Sequence, residues 1–128
     1  MENPIDRKYT KEHEWIKIDG DTAIIGITDF AQDQLTDVVF VELPEVSKQI
    51  EQNDNLCVVE SVKSVSDILS PVSGEIVEVN NALENSPALV NNDPFEGGWI
   101  VKLKVKNETE LDQLMTAEEY DKYLTGIE

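Results

Sequence analysis

The chain has 128 residues, 40% of them hydrophobic, which suits one domain with a real core and argues against disorder. Its 27 acidic against 10 basic residues give a formal net charge of -17. That excess disfavours nucleic acid and anionic membrane surfaces as partners, and favours proteins with basic faces.

The opening residues, Met1 to Asp6, lack the basic-then-apolar layout of a signal peptide and the arginines of a transit segment. The apolar runs are short, with Val38-Val39-Phe40-Val41 among the longest, so no segment is expected to span a membrane. A cytoplasmic chain or an already processed one is expected. Glu14-Trp15-Ile16-Lys17-Ile18 alternates as a strand, and Asp19-Gly20-Asp21 turns it into a second, Thr22 to Ile27. Thr28-Asp29 is a plausible cap for a short helix from Phe30 through Leu35. Val38 to Leu43 reads as a third strand, stopped by Pro44.

Leu56 to Val59 and Val65 to Leu69 read as the arms of a hairpin with Lys63 at its tip. Pro71-Val72-Ser73-Gly74 turns into an alternating strand over 75–79, and residues 99–105 alternate again. The two strand pairs entered through Gly20 and Gly74 hint at a duplicated β unit. Ser86-Pro87 predicts a helical turn through Val90, and capping-box spacing at Thr109 to Asp112 and Thr116 to Glu119 predicts two more helices. Leu111, Leu114 and Met115, then Tyr120, Tyr123 and Leu124, form an apolar stripe expected to pack on the sheet.

Residues for autonomous catalysis are sparse. One histidine, His13, and one cysteine, Cys57, make a zinc site improbable and an intramolecular disulfide impossible. Cys57 lies in an apolar strand run and reads as a buried, inert thiol. Glu96-Gly97-Gly98 precedes a strand, where a phosphate loop would open a helix. No carboxylate pair is singled out for acid–base work. Lys63 is the remaining residue of interest. On spacing alone it is either a solvated charge or an amine presented for acylation.

Several blocks carry a more specific signal: residues 9–15 (Tyr-Thr-Lys-Glu-His-Glu-Trp), 26–29 (Gly-Ile-Thr-Asp), 38–44 (Val-Val-Phe-Val-Glu-Leu-Pro) and 59–63 (Val-Glu-Ser-Val-Lys). Residues 70–75 (Ser-Pro-Val-Ser-Gly-Glu), 77–80, 92–94 and 98–99 continue it. In this order and spacing they resemble the H-protein of the glycine cleavage system over about residues 8 to 124. Biotin carriers usually flank their lysine with Met, and lipoyl domains of 2-oxoacid dehydrogenases carry Asp-Lys-Ala, whereas Val62 and Ser64 flank Lys63 here.

The resemblance implies one lipoyl-carrier domain over residues 1–128, with 1–7 an N-terminal extension. The implied fold is all-β, a barrel-sandwich hybrid of two antiparallel sheets with short peripheral helices and a C-terminal helix. It implies a non-catalytic carrier with lipoic acid in amide linkage to Lys63. The implied partners are a pyridoxal-phosphate glycine decarboxylase, a folate-dependent aminomethyltransferase, dihydrolipoamide dehydrogenase and lipoylating enzymes. It implies a cytoplasmic setting in a bacterium, or the mitochondrial matrix for a processed eukaryotic chain. Alternatives are a lipoate relay to 2-oxoacid dehydrogenase complexes, or a binding module that never carries lipoate. By the same resemblance Glu14 and Asp67 are candidates to hold the cationic aminomethyl end of the arm, and His13 is structural or orients its segment. Small neighbours, Ser61 and Ser64, are expected to leave room for a lipoylating enzyme. Gln34 stands where some members have histidine, so no imidazole contact is expected there. Glu51-Gln52-Asn53 replaces a Lys-Gly turn that Asn53 is expected to tolerate.

Overall fold

Alternation along the strands sorts the side chains of the computed structural model into two clusters, and the structure describes residues 2–127. Strands β1 (Lys8–Tyr9), β2 (Glu14–Asp19), β3 (Thr22–Ile27), β5 (Gln49–Ile50), β8 (Gly74–Val79) and β9 (Val101–Val105) make a six-stranded sheet ordered β1-β2-β3-β9-β8-β5. Strands β4 (Val38–Glu42), β6 (Asn55–Ser61) and β7 (Val65–Leu69) make a three-stranded sheet ordered β4-β6-β7. Neighbouring strands are antiparallel throughout. The expected two-sheet sandwich is therefore the observed one.

The main core lies between the sheets. Ile16, Ala23, Ile25 and Leu103 from one sheet meet Val41, Leu56, Val59 and Ile68 from the other, all buried. A second cluster of Tyr9, Trp15, Phe95, Ala117 and Tyr120 includes residues of β1 and β2 and of the C-terminal helix. Such apolar burial is the main favourable contribution to the fold. Gly20, at φ 67°, makes the two-residue turn between β2 and β3 that the sequence predicts. The two strand pairs entered through Gly20 and Gly74 lie in one sheet, joined where β3 pairs with β9.

Helix α1 (Asp29–Leu35) begins where expected: Thr28 Oγ1 accepts the Ala31 N–H at 3.2 Å. The capping box at α4 (Ala117–Ile127) is also present. Glu119 N–H donates to Thr116 Oγ1, and Thr116 N–H donates to Glu119 Oε1 at 2.9 Å.

Two expectations are corrected. Ser86 is not an N-cap: it closes a turn that the sequence reading missed, α2 (Ala82–Asn85), and α3 (Leu89–Asn92) starts after Ala88. The expected turn through Val90 is present, with Leu89 N–H donating to the Ser86 carbonyl and Val90 N–H to the Pro87 carbonyl, each at 3.1 Å. Thr109 is not a cap either. Asn107 is extended and accepts from Thr109 N–H, starting a 3-10 helix over Glu108–Gln113. Arg7 is 6% exposed and donates to the Phe95 carbonyl at 2.7 Å. Its guanidinium also lies 4.6 Å from the Trp15 ring centroid. Asn53 takes φ 72°, the left-handed conformation expected of it.

Candidate functional site

Lys63 is exposed, in the turn between β6 and β7. Glu60 pairs with Val65, and Ser61 N–H donates to the Ser64 carbonyl at 2.8 Å. Only Val62 and Lys63 lie beyond that last rung. Ser61 then organises the tip through its side chain. Its Oγ accepts the N–H of Lys63 at 3.2 Å and of Ser64 at 3.0 Å, and its hydroxyl lies 3.1 Å from the Ser64 carbonyl it donates to. A serine that accepts from residues two and three positions ahead forms a local turn of its own. Val62 N–H donates to the Asp37 carbonyl at 3.0 Å, tying the tip to the start of β4. The lysine backbone is thus held, and its side chain extends into solvent.

The surroundings of the tip are apolar and acidic. Register places Phe40, Glu60 and Val65 in one row across the outward face of the three-stranded sheet. Glu42, Val58 and Asp67 form the next row. Val39, Phe40, Val62 and Val65 are all exposed.

Asp67 and Glu14 come from different sheets, and both lie near enough to Cys57 to act on its thiol. Asp67 is exposed on β7, four residues past Lys63. Glu14 is 3% exposed at the start of β2. Its carboxyl accepts the Thr10 hydroxyl at 2.6 Å, and the main-chain N–H of Leu69 on β7 is near enough to favour its anion. Burial pushes the Glu14 carboxyl up to about 7, aided by the negative charge of Glu12, while the Thr10 and Leu69 donors oppose that rise. Both Glu14 and Asp67 act on Cys57: burial chiefly, then these two carboxylates and Glu42, push its thiol far above the usual range. The cysteine is buried, as expected.

His13 takes φ 71° and turns its ring toward the C-terminal helix, where Nδ1 is 2.8 Å from the Tyr120 hydroxyl. That hydroxyl is also 2.8 Å from Thr28 Oγ1. Burial holds the His13 imidazole below its ordinary range, so the ring is a neutral link that orients the segment before Glu14. Gln34 is exposed on α1. Sequence reasoning missed the hydrogen-bonding parts of Thr10, Ser61 and the Leu69 N–H. The four-residue spacing of Thr10 and Glu14, and the Ser61-to-Ser64 turn, were the available signals.

No cluster of three or more His, Cys, Asp or Glu among the described residues is placed to hold a metal ion. No helix among them is long and apolar enough to cross a membrane.

An antiparallel sandwich presenting a lysine at the tip of a two-residue hairpin loop is the construction of a carrier domain for an amide-linked prosthetic group. The sequence model of the glycine cleavage H-protein family matches residues 7–127. A glycine cleavage system H protein of Symbiobacterium thermophilum is 58% identical over 120 residues, covering 94% of each chain. One of Thermus thermophilus is 56% identical over 124 residues, covering 97% of each. The crystal structure of a glycine cleavage system H protein from Mycobacterium marinum superposes with TM-score 0.86 at 41% identity, covering 94% of this chain and 97% of that one. This chain belongs to the glycine cleavage H-protein family. It is a non-catalytic lipoyl carrier of the glycine cleavage system.

Proposed function

We propose that Lys63 is the lipoyl attachment site, and that Glu14 and Asp67 hold the aminomethyl-loaded end of the arm. The observation that carries this reading is the Lys63 tip, with main chain fixed by Ser61 and side chain exposed. A fixed backbone and a free amine suit an enzyme that must form an amide at one lysine. Once attached, the group supplies a disulfide that can accept the aminomethyl group released when glycine is decarboxylated.

The protein's part is position. Amide formation removes the lysine charge and leaves a long arm whose far end is apolar. Folded back from the tip, such an arm would run beside β7, where Asp67 lies roughly 10 Å along the strand from Ser64. Leu69 and the Glu14 carboxyl follow at the far end of that strand. A loaded amine is cationic, so a carboxylate shielded from water strengthens its hydrogen bond and slows its hydrolysis. Glu14 supplies the shielded carboxylate and Asp67 the exposed one. The partners of this reading are the pyridoxal-phosphate glycine decarboxylase, the folate-dependent aminomethyltransferase, dihydrolipoamide dehydrogenase and the lipoylating enzymes. The apolar and acidic residues around the tip suit enzymes with a basic rim at the docking face.

The test compares wild type with Lys63→Arg, incubated with a lipoylating enzyme and lipoate. Intact mass should rise by one lipoyl group in wild type and stay unchanged in Lys63→Arg, with identical circular dichroism. A mass gain in the variant would move the attachment site elsewhere. Glycine decarboxylation with the partner enzymes then separates the shuttle from a lipoate relay: modified protein that donates lipoyl groups but supports no glycine turnover would favour the relay.

A further inference from the structure

The loop that leads into β2 is closed by one side chain. Thr10 N–H donates to the Glu14 carbonyl at 3.0 Å, His13 N–H to the Thr10 carbonyl at 3.1 Å, and Glu14 N–H to Thr10 Oγ1 at 3.1 Å. With that oxygen already accepting the Glu14 N–H, the Thr10 hydroxyl proton is directed to Glu14 Oε1, 2.6 Å away. The carboxyl is therefore gripped by its own loop, and the Leu69 N–H of the opposite sheet also favours its anion. A surface pocket of about 250 Å³, lined in part by Thr10, Glu12, Glu14, Asn53 and Met115, opens over this loop.

We propose that Thr10 is a positioning residue: its hydroxyl fixes the rotamer of Glu14 and keeps that carboxyl an acceptor, ready to ionise against a cationic amine. This rests on the reading of Glu14 as an arm contact.

Donors are what keep a buried carboxyl from remaining a neutral acid. Burial and the charge of Glu12 favour the protonated form, while Thr10 and Leu69 favour the anion. The other titratable groups around it are Cys57 on β6 and Tyr120 on α4, with Lys11 on the pocket rim and Asp67 acting on the same thiol from β7. Tyr120 is itself pushed up to about 12, chiefly by burial, so it is neutral where Glu14 titrates. Lys11 lines the pocket, but among the described residues no cation is placed as a partner of the carboxyl: the groups acting on it are burial, Thr10, Glu12 and Leu69. The Thr10 hydroxyl is therefore the one side-chain donor that holds the anion. Removing it should leave Glu14 protonated at neutral pH, and a protonated acid binds an ammonium poorly.

The test is a carbon-13 NMR titration of the Glu14 carboxyl in the full-length, unloaded protein, for wild type, Thr10→Val and Thr10→Ser. Thr10→Val should raise the midpoint by about one unit, the size of one lost hydrogen bond to a charged group. Thr10→Ser should restore it, and Thr10→Ala replaces Thr10→Val should the latter disturb the fold. An unmoved midpoint in the Val or Ala variant overturns the proposal, whatever Glu14 does for the arm. In the loaded protein, the pH–lifetime curve of the aminomethyl group should shift upward in Thr10→Val by the same amount. A shifted titration with an unshifted lifetime curve would break the link to the amine. A Glu14→Gln lifetime equal to wild type would instead remove Glu14 from the arm site and leave the titration to judge Thr10 alone.

Discussion

The Glu14 carboxyl at the start of β2 has the main-chain N–H of Leu69, at the end of β7, as a neighbour that favours its anion, so a single acid relates a strand of one sheet to a strand of the other. The contact is buried, and it links the candidate arm site directly to stability.

That linkage has a sign. Glu14 is raised to about 7 from an ordinary value of 4.5. The unfolded chain therefore releases the proton first, near 4.5, while the folded chain keeps it until about 7. The contribution is intact below 4.5, is lost as pH rises through this interval, and changes no further above about 7. Its size is about 3 kcal/mol at most. Urea midpoints measured from pH 4.5 to 8 should show the wild type losing stability relative to Glu14→Gln as pH rises. A constant difference between the two would mean that the acid is not raised.

Tyr120 should be a keystone of the C-terminal helix. Its ring stacks on Tyr9 with centroids 4.9 Å apart, and its hydroxyl meets both His13 and Thr28. Tyr120→Phe keeps the stacking and takes a hydrogen-bond partner from both His13 Nδ1 and the buried Thr28 hydroxyl, which retains only its cap bond to Ala31 N–H. The expected loss is about 1–3 kcal/mol, read as a lower thermal midpoint. An unchanged midpoint would show that the hydroxyl chain contributes nothing net.

Gly26 is required by a neighbour. A Cβ there would stand 2.6 Å from Trp15 Cζ2, and Trp15 is itself fixed by an Nε1–H bond of 2.9 Å to the Pro94 carbonyl. Gly26→Ala must displace the ring or the strand, at about 2 kcal/mol. Loss of the Trp15 near-ultraviolet signal would accompany the change. A variant as stable as wild type would mean that the ring moves freely.

Ser61→Ala should leave the fold intact and loosen the tip. The N–H groups of Lys63 and Ser64 lose a shared acceptor. At about 1 kcal/mol for such a bond, kcat/KM for lipoylation should fall roughly five-fold. Thermal midpoints should match wild type. An unchanged kcat/KM would show that the enzyme reorganises the turn itself.

The sheets were legible because alternation is a local signal: β2, β8 and β9 follow directly from polar–apolar order, and Gly20 marks the turn from β2 into β3. The short strands β1 and β5 were not, since two residues carry no period. The Ser86 and Thr109 caps were misread because capping residues also bond locally in turns, and Asn107 competes successfully for the second helix start. At the site, Lys63 stood out only by elimination and resemblance. The part played by Thr10 depends on a loop closing back on itself, which no linear pattern displays.

Charge is distributed unevenly between the two outward faces. On the six-stranded sheet, Lys17, Lys102 and Lys104 share rows with Glu75 and Glu78, so the signs largely offset one another. On the face beside Lys63 the charged members of the rows are Glu42, Glu60 and Asp67. The two sheet faces therefore differ in their balance of charge, within a chain that is acidic as a whole. Approaching a basic surface, it should rotate in the field before contact and arrive with the lysine hairpin leading. Added salt should then slow encounters by scrambling orientation as well as by weakening attraction.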